Sequence, residues 1–279
     1  GLAAGYIASQ FEYKAPTRAV AEPDLLEQDS LPAWASKPLP DFSQYTVVSR
    51  RKQAFFGYLF PRITLANLRI DAARDYLTQL QKQASLNEQE KEWLATHANR
   101  LRVDTEDREV LFERLGRRMD IIPPSLVMAQ AANESAWGTS RFATQGNNLF
   151  GQWCFSQGCG LVPRSRPDGM SHEVEVFDSP YQSVRSYMTN LNRHNAYKEL
   201  RARRQTLRTQ GEFPDGVTLA GGLEAYSERG QAYVHEIRAM INSNGLPDYD
   251  NRLTTLMAAS EPLEKLDALA AEYQKSFSN

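Results

Sequence analysis

Pro124-Ser-Leu-Val-Met-Ala-Gln-Ala-Ala-Asn-Glu-Ser-Ala-Trp-Gly138 is the stretch on which the fold turns. Pro124 opens a helix at the position where its missing N–H costs least. The pattern predicts a helix from Pro124 to Trp137, with Gly138 as the stop. Leu126, Val127, Met128, Ala129, Ala131 and Ala132 leave it almost no polar face. A helix that is apolar all round belongs in the middle of a core. Glu134 then falls in the last turn of a buried helix, where the partial negative charge of the C-terminus repels an anion. Apolar surroundings also disfavour the ionised carboxylate. Both effects raise its pKa, and a carboxyl kept protonated near neutral pH suits a general acid for glycosidic cleavage. The competing reading is a structural Glu bonded to loop amides or paired with an Arg.

Outward from this helix the character differs on the two sides. Upstream, apolar residues recur at helical spacing from Val47 to about Leu80, through Phe55, Leu59, Phe60 and Ile63. Pro61 is expected to bend or restart that helix, with a second helix over Ala72–Ala84. Asn87 and Glu90 form a capping-box pattern opening a helix to about Asn99. Asp104-Thr105-Glu106 caps another, running to Arg118. Downstream, 151–169 holds four glycines and two prolines and reads as loop, and Glu173–Phe177 alternates like a short strand. Ser183–His194 and Gln231–Asn242 are amphipathic, the second stopped by Asn244-Gly245. Leu253–Ser278 reads as one last helix.

The 279 residues are 41% hydrophobic and 24% charged, ordinary for a globular protein. Lys+Arg is 32 against Asp+Glu 34, a net charge of −2 without the basic excess of a dedicated nucleic-acid binder. Two cysteines exclude a disulfide-dense scaffold and a four-thiolate zinc site. No apolar run approaches the ~20 residues that span a bilayer. The first residue is Gly1, and Gly1–Ser9 is small and apolar. It reads either as the tail of a signal peptide or membrane anchor, or as a frayed terminus. Pro16, Pro23, Pro32, Pro38 and Pro40 mark residues 1–44 as an extended arm, either a tether or a strap laid across the body with Trp34 and Phe42 in grooves. The chain thus divides into this arm, a helical extension (45–118), a central domain (119–248) and a C-terminal helix (249–279).

Ala129-Gln-Ala-Ala-Asn-Glu-Ser-Ala-Trp-Gly-Thr-Ser140, followed by Gly146-Asn-Asn-Leu-Phe-Gly151, resembles the glucosaminidase family of bacterial peptidoglycan hydrolases. The resemblance covers about residues 121–246. It implies a mainly α, lysozyme-like fold with a small β lobe, here preceded by an N-terminal helical extension. It implies an endo-β-N-acetylglucosaminidase that hydrolyses the β-1,4 bond after N-acetylglucosamine. Glu134 matches the family's catalytic acid. Tyr226 and Tyr233, in Tyr-Ser-Glu-Arg-Gly-Gln-Ala-Tyr, resemble the family's Tyr-Ala-Thr-Asp-x-x-Tyr, whose first tyrosine lines the cleft; the match assigns Tyr226 to catalysis and Tyr233 to substrate binding. Ser-Glu-Arg departs from the family's Ala-Thr-Asp between them. The implied partners are glycan strands of the wall, with no nucleic acid, no cofactor and no metal. A monomer in the periplasm or cell envelope is expected, touching membrane only through a removed N-terminal anchor.

A glycan cleft needs aromatic faces for sugar rings and amides for N-acetyl groups, and Trp137, Asn148, Phe150, Gln152 and Trp153 fit those jobs. Core packing for Trp137 and Phe150, and turn chemistry for Asn147 and Asn148, are the alternatives. A second carboxylate would stand ~6.5–9.5 Å from the acid in an inverting enzyme and ~5–5.5 Å in a retaining one. Glu173 is the preferred candidate, with Glu175 on the same side of the strand and Asp168 in the preceding loop. Assistance by the substrate's acetamido group, or a water held by Tyr226, needs no second Glu. Arg164, Arg166 and Arg185 are candidates for steering wall carboxylates. Cys154 and Cys159, with four residues between them including a glycine, can close a disulfide in an oxidising compartment. Lytic transglycosylation on the same fold, and a non-catalytic wall-binding protein, are the other readings.

Overall fold

The computed structural model describes residues 31–277, so Gly1–Ser9, Pro16 and Pro23 lie outside the described residues. The architecture is mainly α and lysozyme-like, with a small β lobe and N-terminal helices. Around the central helix α4 (Pro124–Ser135) lie α1 (Val48–Lys82), α8 (Gly216–Ala220), α9 (Gln231–Ser243) and α10 (Pro247–Met257). Helix α4 is buried from Pro124 through Ala132, as its apolar composition requires. Its N-terminus is held by Asp250 of α10, whose carboxylate accepts from Ser125 N at 2.8 Å, Ser125 Oγ at 2.6 Å and Gly216 N at 3.2 Å. An anion there also complements the helix dipole.

Pro61 does not break the first helix. Helix α1 runs unbroken for 35 residues with Pro61 buried inside it. Packing against α4, α6 (Pro180–Arg193) and α11 (Pro262–Phe277) outweighs the one hydrogen bond that proline removes. Helix α2 (Glu88–Arg100) opens on the expected capping box of Asn87 and Glu90. The cap of α3 (Arg108–Arg118) is Asp107, which accepts from Val110 N, rather than the Asp104–Glu106 stretch. Leu77, Leu80, Trp93, Leu94, Phe112 and Leu115 give these helices a satellite core of their own. The tail is two helices, α10 and α11, because Pro262 cannot continue a helix and starts a new one. Helices α5 (Arg141–Gly146) and α7 (Lys198–Thr209) complete the α elements among the described residues.

The β lobe is a three-stranded antiparallel sheet in the order β1 (Trp153–Cys154), β3 (Glu173–Glu175), β2 (Gly160–Leu161). Strand β3 stops at Glu175 rather than Phe177, since both partners are only two residues long. Residues 31–46 lie against the body. Phe42 is buried edge-on to Phe55 and Tyr58, and Trp34 donates to Asp267 of α11 at 2.8 Å. No helix among the described residues is long and apolar enough to cross a membrane.

Candidate active site

The chain leaves α4 through three consecutive residues with positive φ: Ala136 (48°), Trp137 (59°) and Gly138 (76°). The stop therefore begins two residues before the expected Gly138. Left-handed backbone at a non-glycine residue costs about 1–3 kcal/mol and persists only where its surroundings fix it. Ser135 supplies that fixing. Its Oγ donates to Ala131 O at 2.6 Å and accepts from Gly138 N at 2.8 Å, while its carbonyl accepts from Thr139 N and Ser140 N. At Gly138 a Cβ would stand 2.7 Å from the Phe42 ring. This turn aims Glu134 out of the core and sets Trp137 edge-on to Phe55 and Phe56, with Lys52 Nζ 4.9 Å from its ring centre.

Glu134 is half-buried and, among the described residues, has no ion-pair partner within 4 Å. Tyr233 donates to its Oε1 at 2.8 Å, and Asn133 Nδ2 makes a long 3.5 Å contact to the same atom. Burial pushes the Glu134 pKa up, and these two hydrogen bonds oppose the rise without cancelling it. Behind Tyr233 the chain of hydrogen bonds continues. Gln130 Nε2 donates to Tyr233 Oη at 2.9 Å, and the Tyr187 hydroxyl donates to Gln130 Oε1. Tyr226 stacks on Tyr233, with ring centres 5.5 Å apart and planes 4° from parallel, and donates its hydroxyl to Phe150 O at 3.1 Å. Burial raises the pKa of Tyr187, Tyr226 and Tyr233, and lifts Tyr197 to about 12. All four phenols are therefore protonated donors at neutral pH.

The structure redistributes the other expected residues. Tyr233 is buried and donates its hydroxyl to Glu134, so its ring packs in the core and its polar end holds that carboxyl. Asn148 is buried and fully engaged in its own turn. Its Nδ2 donates to Gln152 O and Glu175 O, and its Oδ1 accepts from Phe150 N and Gln152 N. Phe150 is 2% exposed and stacks on Tyr187 at 3.9 Å, which makes it core. Gln152 is half-buried, donating to Ser186 Oγ at 2.9 Å while its Oε1 is buried without a partner. Trp153 is 53% exposed and stacked on His172 at 3.9 Å, an open aromatic face on the lobe.

Glu173 has a different task from the one expected of it. It is 6% exposed, and its two oxygens accept from Gly158 N at 3.1 Å and Gly160 N at 2.8 Å. Those bonds hold its pKa below the usual carboxylate range. The loop it grips is closed by the Cys154–Cys159 disulfide, so neither sulfur is available as a thiolate ligand. A carboxylate committed to two amides is poorly placed to activate water. Glu175 is half-buried with a pKa raised by burial.

Gln130, Tyr187 and Tyr197 received no role in the sequence reading. Gln130 lies four residues before Glu134, on the same helix face, and that spacing was the available signal. Tyr187 read as one more apolar position of an amphipathic helix.

A family model, glucosaminidase, described as mannosyl-glycoprotein endo-beta-N-acetylglucosaminidase, matches residues 110–246. The chain belongs to the glucosaminidase family. Over 211 residues it is 36% identical to Protein bax of Escherichia coli (strain K12), covering 75% of this chain and 75% of that protein. No solved structure matches it.

Proposed function

We propose that the protein is an endo-β-N-acetylglucosaminidase of cell-wall glycan with Glu134 as general acid. The observation that carries this reading is the carboxyl of Glu134. It sits at the end of a buried helix, with its ionised form disfavoured by burial, next to protonated tyrosines and with no ion pair within 4 Å among the described residues. In the reaction the Glu134 proton passes to the glycosidic oxygen as the C1–O bond breaks. Water adds its hydroxyl to C1, and its remaining proton returns to the Glu134 carboxylate. Because Glu173 is bound to backbone amides, the face opposite Glu134 is served by the substrate's acetamido group or by a water near Tyr226. Trp137 and Trp153 offer ring faces to the sugars.

The Cys154–Cys159 disulfide supports an oxidising compartment, and with a wall substrate that means the periplasm or cell envelope. A lone acid is equally compatible with transglycosylation, so product chemistry is the test. Purified sacculi are digested, and the new chain ends are read by mass spectrometry. Reducing-end N-acetylglucosamine supports the proposal. Anhydro-muramyl ends, or no new ends, overturn it.

A further inference from the structure

A cavity of about 470 Å3 lies between α1, α2 and α6, on a different face of α6 from Tyr187. That is the size of a small-molecule site. Four guanidiniums line it, from Arg69, Arg100, Arg118 and Arg185, against a single carboxylate, Glu92. Among the described residues, Arg100, Arg118 and Arg185 form no ion pair. Arg118 is occupied with the carbonyls of Leu101 and Arg102, while Arg100 reaches only Thr189 Oγ1 at 3.4 Å. Partial desolvation at the rim of the cavity, and after it the charges of Arg185 and Arg69, pull the exposed Arg100 down to about 10. Arg185 is lowered too, by burial and also by Arg69. Guanidiniums stay protonated under ordinary conditions. Arg100, Arg118 and Arg185 therefore stand as like charges in one wall, with Glu92 the single carboxylate lining it. Trp93, 8% exposed in the same wall, has a buried Nε1–H with no acceptor.

We propose that this cavity binds a small multivalent oxyanion, of phosphate or carboxylate type, gripped by Arg100 and Arg185. Planar guanidiniums match both anions bidentately. The site is separate from Glu134, and its test does not depend on glycan cleavage.

The full chain is titrated calorimetrically and melted with inorganic phosphate and with citrate, against chloride at equal ionic strength. Either anion is expected to bind and to raise the melting temperature where chloride does not. Arg185→Gln and Arg100→Gln should each weaken binding at least about ten-fold. The exposed Arg50→Gln should change it less than about two-fold. Without anion, Arg185→Gln should melt at or above the wild type, because it relieves repulsion. The anion that binds more tightly separates a phosphoester source from a carboxylate source, and either supports the site. Three results overturn it: no binding beyond chloride, equal weakening in Arg50→Gln, or an anion-free Arg185→Gln that melts below the wild type.

Discussion

At the residue scale, the site is one carboxyl whose proton affinity is set by opposing forces. Burial raises the Glu134 pKa, and the Tyr233 hydroxyl lowers it by bonding the ionised form. Tyr233→Phe removes only the second force, so the Glu134 pKa should rise further. The basic limb of the pH–activity profile should then move to higher pH; a limb that stays or moves down contradicts the assignment. The same substitution leaves the Gln130 amide without its acceptor, at about 1–3 kcal/mol of stability, measurable by denaturant unfolding. Glu134 stands out as a candidate in the sequence because an apolar helix ending in a carboxylate is chemically unusual. Tyr233 as its partner does not, because the pairing spans 99 positions of chain and depends on how α9 meets α4. Asn148 and Phe150 were misread for a related reason. Amides and aromatics look alike whether they serve a ligand or a turn, and only burial separates the two.

At the scale of elements, the turn after α4 and the β lobe carry the strain and the staples. Gly138→Ala meets both a φ of 76° and the Phe42 ring, and should cost about 1–3 kcal/mol in unfolding free energy. A neutral result would mean that the strap of residues 31–46 yields easily. In the lobe, Glu173 is ionised and bonded, so its folded pKa lies below its unfolded one. Its contribution is present above the unfolded carboxylate range, roughly pH 4.3, and is lost as pH falls through the folded value. Protection factors of the Gly158 and Gly160 amides, taken relative to the intrinsic exchange rate at each pH, should be high at neutral pH and fall in acid, and in Glu173→Gln they should be low throughout. Amides equally protected in that variant would show that the disulfide alone shapes the loop. Periodicity made most helices legible, whereas Pro61 and Pro262 show its limit. The same residue is tolerated inside α1, where three helices pack around it, and splits the C-terminal tail into α10 and α11.

At the scale of the whole molecule, one buried charge cluster ties α1 and α3 to α7. Burial pushes Asp120 up, but Arg204, Arg208 and Arg74 together hold it below the usual range. Arg208 bonds Asp120 Oδ1 at 2.7 Å. The buried Arg204 also donates to the carbonyls of Arg117, Asp120 and Ile121 and to Asn192 Oδ1 at 2.7 Å. Asp120→Asn strands that guanidinium and should cost about 3–5 kcal/mol, read as a lower denaturant midpoint. A change under 1 kcal/mol would mean that the carbonyls alone support Arg204. None of this network was visible from the sequence, where Asp120 and the arginines of α7 look like surface charges. The fold class was visible, since the motif around Glu134 and the apolar periodicities agree with each other.

The central claim is that Glu134 is the proton donor. The most direct measurement compares wild type with Glu134→Gln on purified sacculi, scoring both release of glycan fragments and co-sedimentation with the wall. With Glu134 as the proton donor, cleavage should fall by at least about 100-fold with binding unchanged. Cleavage retained in Glu134→Gln would contradict it.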